Sequence, residues 1–334
     1  MKKIKFGNTN TMVAEMCLGC LGFGTKNDKK DSYEILDYYV EQGGNFLDTS
    51  NNYAFWHEGG NGGESESLLG MWMKERKNRE KIILATKTGA FPTDKEKLKA
   101  NSDTSEGWLK YSEGLSQKAI FKAIDDSLKR LQTDYIDVYY AHIDDRLCSQ
   151  EETLSAFDTL VKQGKVRHIA CSNYKTWRLE RARNISIQKG WAVYQAVQLF
   201  HTYLKPKYGV NFSIQEFVTE EYLDYIRSNN EISLLGYTPL LWGGYTIKPK
   251  RDEIPKWNYF KTRENEERLQ ALKKIAIDTG HTINQVIYAW MMQGTPRVIP
   301  LVAVSKMEHL KEDLDAVNLN LSENMMNYLN GAGL

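Results

Sequence analysis

Short β-rich runs alternate with longer amphipathic helical patterns from one end of the chain to the other, and few folds accept that rhythm. The β-rich runs are Met16–Leu18, Asn45–Ser50, Ile82–Lys87, Asp137–His142, Val166–Ser172, Ala196–His201, Ser233–Tyr237 and Arg297–Val304. Several are near-continuous apolar segments, such as Ile82-Ile83-Leu84-Ala85, as expected of parallel strands buried on both faces. Helix starts are legible between them. Ser116 precedes a face carrying Ile120, Ile124, Leu128 and Leu131, and Ser149 with Glu152, Thr282 with Gln285 and Ser305 with Glu308 read as capping boxes. Eight strand–helix units in 334 residues predict an α/β fold of the (β/α)8 TIM-barrel type. A doubly wound sheet would place a glycine-rich GxGxxG turn after the first strand. The segment Leu18-Gly19-Cys20-Leu21-Gly22-Phe23-Gly24 does not match it.

No break in composition divides the chain, so residues 1–334 are read as one barrel domain. Long insertions follow the third strand (Phe91–Leu115) and the seventh (Leu240–Glu267). A barrel would present both at the carboxyl ends of its strands, where active sites are built.

Charge narrows the function. Lys and Arg total 44 against 43 Asp and Glu, a balance that argues against nucleic-acid or anionic-membrane partners. No apolar run approaches the roughly 20 residues of a spanning helix, and the start Met1-Lys2-Lys3-Ile4 lacks a signal-peptide core. A cytoplasmic enzyme acting on a small molecule is the expectation. The four cysteines, Cys17, Cys20, Cys148 and Cys171, are too few for a disulfide scaffold, and Cys17 and Cys20 read as buried strand thiols. No HxH or HExxH pair occurs among the six histidines, so no metal site is expected.

Four ionisable residues stand at or just beyond the carboxyl ends of successive strands: Asp48, Tyr53, Lys87 and His142. In a barrel those positions converge. A lysine ammonium beside a tyrosine favours its phenolate, Asp48 would hold Lys87 charged, and His142 would orient a carbonyl. Each residue alone has a structural reading: Asp48 as a turn cap, Tyr53 as packing, Lys87 as a solvated strand end, His142 as a strand-end histidine. Their conjunction is what packing alone does not require.

At these residues the sequence resembles the aldo-keto reductase family, from about Val13 to about Leu329. Gly44-Asn45-Phe46-Leu47-Asp48-Thr49-Ser50-Asn51-Asn52-Tyr53 resembles its first signature, and Glu64 to Gly70 the helix that follows. Ser127-Leu128-Lys129-Arg130-Leu131 with Asp134 to His142 resembles the second, and Gly164-Lys165-Val166-Arg167 leading to Ser172-Asn173 the fifth strand. The resemblance implies a barrel that binds a nicotinamide dinucleotide, with Tyr53 as general acid assisted by Lys87 and Asp48, and His142 orienting the carbonyl. It implies cofactor contacts at Gly19, Cys20, Asp48, Ser172, Asn173, Gln198, Tyr237, Thr238, Pro239, Leu240, Gly243, Ser305, Lys306, His309 and Asp313.

Three departures shape expectations within the family. Ala303, Val304 and His309 fill positions where relatives often carry cations for the 2′-phosphate of NADP, leaving Lys306. NADP(H) is therefore expected to be favoured modestly, with NAD(H) usable; cations of Lys248-Pro249-Lys250-Arg251 folding over the phosphate would strengthen it. Ile143-Asp144-Asp145-Arg146 follows His142 in place of an apolar residue and proline, and an acidic group there suits a sugar or other polyhydroxylated substrate. A surface pair between Asp145 and Arg146 is the structural alternative. Ala170-Cys171 before Ser172 is a change the strand tolerates. Tyr53, Phe55, Trp56, Trp108, His142 and Asp144 are the expected substrate contacts, with Trp242 and Trp257 also in mouth loops. The leading function is an NAD(P)H-dependent reductase of aldehydes and ketones, or the matching alcohol dehydrogenase. The alternative from another class is a redox-sensing subunit that binds the cofactor and a partner protein with little turnover.

Overall fold

The computed structural model describes residues 1–246, 251 and 253–334. Eight parallel strands close into a barrel: β1 (Cys17–Gly19), β2 (Phe46–Asp48), β3 (Ile83–Thr88), β4 (Ile136–Ala141), β5 (Val166–Ser172), β6 (Ala196–Phe200), β7 (Ser233–Tyr237) and β8 (Val298–Val302). They pair in chain order, and β8 closes on β1 through Leu301 opposite Cys17. This is the (β/α)8 barrel that the strand–helix rhythm predicts. Among the described residues no helix is long and apolar enough to cross a membrane.

Period-two alternation sorts the strand side chains between two cores. Inward-facing Phe46, Ala85, Val138, Tyr140, Ala170, Ala196, Leu235 and Ile299 fill the barrel. Outward-facing Leu47, Leu84, Tyr139, Ile169, Cys171, Val197 and Leu234 pack on the helices. Mixing alanines with Phe46, Tyr140 and Leu235 lets the inner layers interdigitate. Lys87 lies two residues beyond Ala85 on β3, hence on the inward face, above this plug.

The amino-terminal end of the barrel is closed by an antiparallel hairpin, Lys3–Lys5 with Met12–Ala14, which the sequence reading does not anticipate. Phe6, Val13 and Ala14 from it join the inner core, with Phe6 edge-on to Phe46 at 5.7 Å. With one end stoppered, a ligand has only the carboxyl end to enter.

Of the three predicted capping boxes one forms in full, Thr282 with Gln285. Ser149 caps Gln150–Lys162, but the Glu152 carboxylate accepts from Gln117 N–H instead of completing the box. Ser305 caps nothing: the helix Met307–Leu314 begins later, with Lys306 at the cap position and no side-chain bond there. Of the two insertions, the first folds into short helices, Lys95–Asn101 and Ser105–Tyr111. The second carries the 3-10 turns Leu241–Gly243 and Trp257–Phe260. Lys248, Pro249 and Lys250 of the expected phosphate-covering loop lie outside the described residues.

Candidate active site

Asp48 ends β2, and both its oxygens are engaged. Oδ1 accepts from Lys87 Nζ and, at 3.4 Å, from the Tyr53 hydroxyl; Oδ2 accepts from Gln198 Nε2 at 2.8 Å. Lys87 Nζ also donates to the Tyr53 hydroxyl at 2.8 Å and to Thr49 O at 2.8 Å. Asp48 and Lys87 are wholly buried. A charged pair leaves water at a cost that is met only when its remaining donors and acceptors are satisfied, as here.

Tyr53 departs from the expectation drawn from its neighbour. Burial pushes its phenol well above the ordinary tyrosine value, and the Asp48 carboxylate pushes it further up. Desolvation and Asp48 outweigh the lysine, so the group stands as a protonated phenol at neutral pH. A proton donor is what results, not a standing phenolate.

His142 follows β4 and meets Tyr53 edge-on at 6.0 Å between ring centroids. Burial, then the Lys87 charge, holds its imidazole well below the usual histidine value, so the ring is neutral. Its Nδ1 lies 3.1 Å from Ser50 Oγ, which is also 2.7 Å from Asn52 Oδ1. The single Ser50 hydroxyl proton goes to Asn52 Oδ1, so Ser50 Oγ is left to accept from His142 Nδ1–H. Ser50 escapes a sequence reading because a serine in a turn is common.

These side chains open onto a cavity of about 1310 Å³ at the carboxyl end of the barrel. Asp48, Tyr53 and His142 line it, as do Gly19, Ser172, Asn173, Gln198, Tyr237, Thr238, Pro239, Leu240, Gly243, Ser305, His309 and Asp313. Asn173 ties the wall together: its Nδ2 donates to His142 O at 3.0 Å and its Oδ1 accepts from the Tyr237 hydroxyl at 2.8 Å. Phe200 stacks on the Tyr237 ring at 5.6 Å. Ser172 Oγ donates to Gln198 O at 2.8 Å.

Two residues expected at the cofactor stand off the wall. Cys20 is fully buried in the outer core, where its N–H donates to Asp48 O at 2.8 Å. Lys306 is exposed beside Glu308, 3.6 Å away. The wall cation near that end is Lys26, from the loop after β1, which sequence reading missed.

Among the expected substrate contacts, Phe55, Trp56 and Trp108 do line the cavity, with Phe55 edge-on to Trp56 at 5.1 Å and to Trp108 at 6.1 Å. Trp242 lines it too, whereas Trp257 is buried under Gly244 and Arg251. Asp144 is a correction. Its carboxylate is gripped by Arg178 at 2.6 Å and by Arg146 at 2.6 Å, away from the cavity wall. Asp145 in turn accepts from the Leu115 and Leu147 amides and does not pair with Arg146. No acidic group of this segment is left to meet a hydroxylated substrate.

The model of the aldo/keto reductase family matches residues 15–333. The chain belongs to the aldo/keto reductase family. Norsolorinic acid reductase B of Dothistroma septosporum (strain NZE10 / CBS 128990) is 30% identical, over 93% of this chain and 76% of its own. An aryl-alcohol dehydrogenase (NADP(+)) of Phanerodontia chrysosporium is 28% identical over 92% of this chain and 77% of its own. A thermostable aldo-keto reductase, Tm1743, solved with the inhibitor epalrestat, shares the fold with a TM-score of 0.70 at 23% identity, covering 98% of each chain. This aldo/keto reductase is accordingly an NAD(P)-dependent oxidoreductase acting on carbonyl or alcohol groups of small molecules.

Proposed function

We propose that this reductase interconverts an aryl aldehyde or ketone and its alcohol, with Tyr53 as the acid that protonates the carbonyl oxygen. The observation that carries the reading is the Lys87 ammonium touching both Asp48 and the Tyr53 hydroxyl at the floor of a cavity that His142 also lines. As charge develops on the carbonyl oxygen the phenol releases its proton, and Lys87 stabilises the oxygen left behind. His142, neutral and edge-on to Tyr53, borders the place of the carbonyl and orients it. The aromatic wall and the engagement of Asp144 by arginines favour a planar apolar substrate over a sugar. Relatives named for aryl alcohols and norsolorinic acid agree with that choice.

A nicotinamide dinucleotide, when bound, supplies the hydride. The cavity fits one by its extent and by its backbone. Thr238, Leu241, Trp242 and Gly243 all have positive φ, between 47° and 86°. Non-glycine residues held left-handed cost about 1 kcal/mol or more each, and such strain gathers at ligand-binding loops. At the far end the Asn284 Oδ1 is buried without a hydrogen-bond partner among the described residues. We assign Gln198, Ser172 and Asn173 to the carboxamide end, Tyr237 to the ring face, Thr238 to Gly243 to the pyrophosphate, and Ser305, His309 and Asp313 to the adenosine end. The whole chain acts as one barrel unit in this reading.

NADP(H) is favoured modestly, because the cations at that end, Lys26 and Lys306, are exposed and screened by solvent. Paired NADPH and NADH titrations, followed by rates on benzaldehydes and sugars, test the reading. Comparable affinities and aryl turnover support it. A thousandfold preference for NADPH contradicts the cofactor assignment, and turnover of sugars alone contradicts the substrate.

A further inference from the structure

One wall of the cavity has no part in the chemistry above. Lys256 lines it at the cap of the turn Trp257–Phe260, with its own backbone left-handed at φ 61°. A lysine gains nothing from that conformation, so something else holds it there. The side chain is half-buried. Its Nζ donates to Gln215 Oε1 at 2.8 Å and lies 5.5 Å from the Phe212 ring centre.

The partner is the anomaly. Lys87, Arg79, Arg178 and Arg183 each meet a carboxylate where they leave water, and Arg268 meets two backbone carbonyls. Lys256 meets one neutral amide oxygen, and no ion pair forms to it among the described residues. Burial moves its ammonium downward, and no carboxylate among the described residues raises it. An ammonium has three donors, so two remain for an occupant of the cavity. Partly dehydrated and beside aromatic rings, they favour an anionic oxygen over water.

The place of Lys256 says what that occupant is. Gln215 precedes Glu216, whose N–H donates at 3.2 Å to the same Asn173 Oδ1 that accepts from the Tyr237 hydroxyl, which puts Lys256 beside the reaction end of the cavity. Phe212, Tyr259 and Trp242 line the same cavity. We propose that Lys256 determines specificity, pairing an anionic oxygen substituent, a carboxylate or ionised phenol, of an aryl carbonyl substrate whose ring the aromatic wall covers. This rests on the carbonyl chemistry proposed above and adds the charge of the substrate.

Para- and meta-carboxybenzaldehyde, each against its methyl ester, form the test. For at least one isomer, kcat/KM for the acid exceeds that for the ester by about 10- to 100-fold, the range of a charge-assisted contact. Lys256→Met brings the ratio near unity, Lys256→Arg keeps most of it, and Lys256→Glu inverts it. Quenching of tryptophan fluorescence by the matching carboxybenzyl alcohols and their esters reads the same ratio without turnover. A binding preference without turnover would retain the anion site and reject the carbonyl chemistry. Equal treatment of acid and ester by the wild type, or a preference that survives Lys256→Met, overturns the proposal.

Discussion

Gln198 Nε2 reaches across the barrel mouth to Asp48 Oδ2 at 2.8 Å, from β6 to β2, strands on opposite sides of the ring. That bond occupies the oxygen that Lys87 does not use, so the carboxylate cannot rotate away from its ammonium. Asp48 thereby fixes Lys87, and Lys87 fixes the Tyr53 hydroxyl.

Breaking the pair from one side should therefore be costly. Lys87→Met leaves Asp48 buried and uncompensated, and a loss of about 3–5 kcal/mol is expected. Adding Asp48→Asn should restore part of that loss, because the surviving group is then neutral. Urea unfolding of both singles and the double closes the cycle. Additive losses would show that the two charges do not act as a pair.

Glu113 plays a supporting part from the first insertion. Its Oε1 accepts from Asn51 Nδ2 at 2.8 Å, Gly89 N–H at 2.7 Å and Thr88 Oγ1 at 3.0 Å. Those donors lie on the segments that carry Tyr53 and Lys87. Glu113→Ala strands buried donors, at about 1–3 kcal/mol each, and should lower both thermal stability and kcat. Glu113→Gln keeps an acceptor oxygen and should recover most of both. Equal damage from the two substitutions would mean that the charge, not the acceptor, is what matters.

Asp313 gives a pH signature. Burial, then the Glu312 charge, raises its carboxyl to about 7. The folded state thus holds a proton that the unfolded chain has lost above about 3.9. Native protein binds more protons in that window, so this contribution to stability is full below pH ~4, falls as pH rises, and is gone above about 7. The steepest slope is about 1.4 kcal/mol per pH unit. Melting temperatures of wild type and Asp313→Asn across this range should differ in slope by that group. Parallel curves would remove Asp313 as the cause.

The fold was legible because parallel strands buried on both faces leave apolar runs such as Ile82 to Ala85, and because capping residues announce most helices. The cluster of Asp48, Tyr53, Lys87 and His142 was legible because each sits at or near a strand end, where the chain leaves no choice of place. The plugging hairpin was not, since Lys3-Ile4-Lys5 is too short and charged to stand out. Asp144 misled because its local neighbour Arg146 is visible in sequence, whereas the second grip on it comes from Arg178, 34 residues on. Lys256 and Gln215 carried no signal: each is an ordinary loop residue until the insertions fold together.

The most direct measurement is the rate of aryl aldehyde reduction by Tyr53→Phe, set beside nicotinamide fluorescence titration of the same variant. The substitution removes one hydroxyl and leaves the ring under the Lys87 ammonium, 4.6 Å from its centre in the wild type. Loss of that proton donor should lower kcat by about 100-fold or more, with cofactor affinity close to wild type. Turnover near the wild-type rate would contradict the account, since the proton would then come from another group.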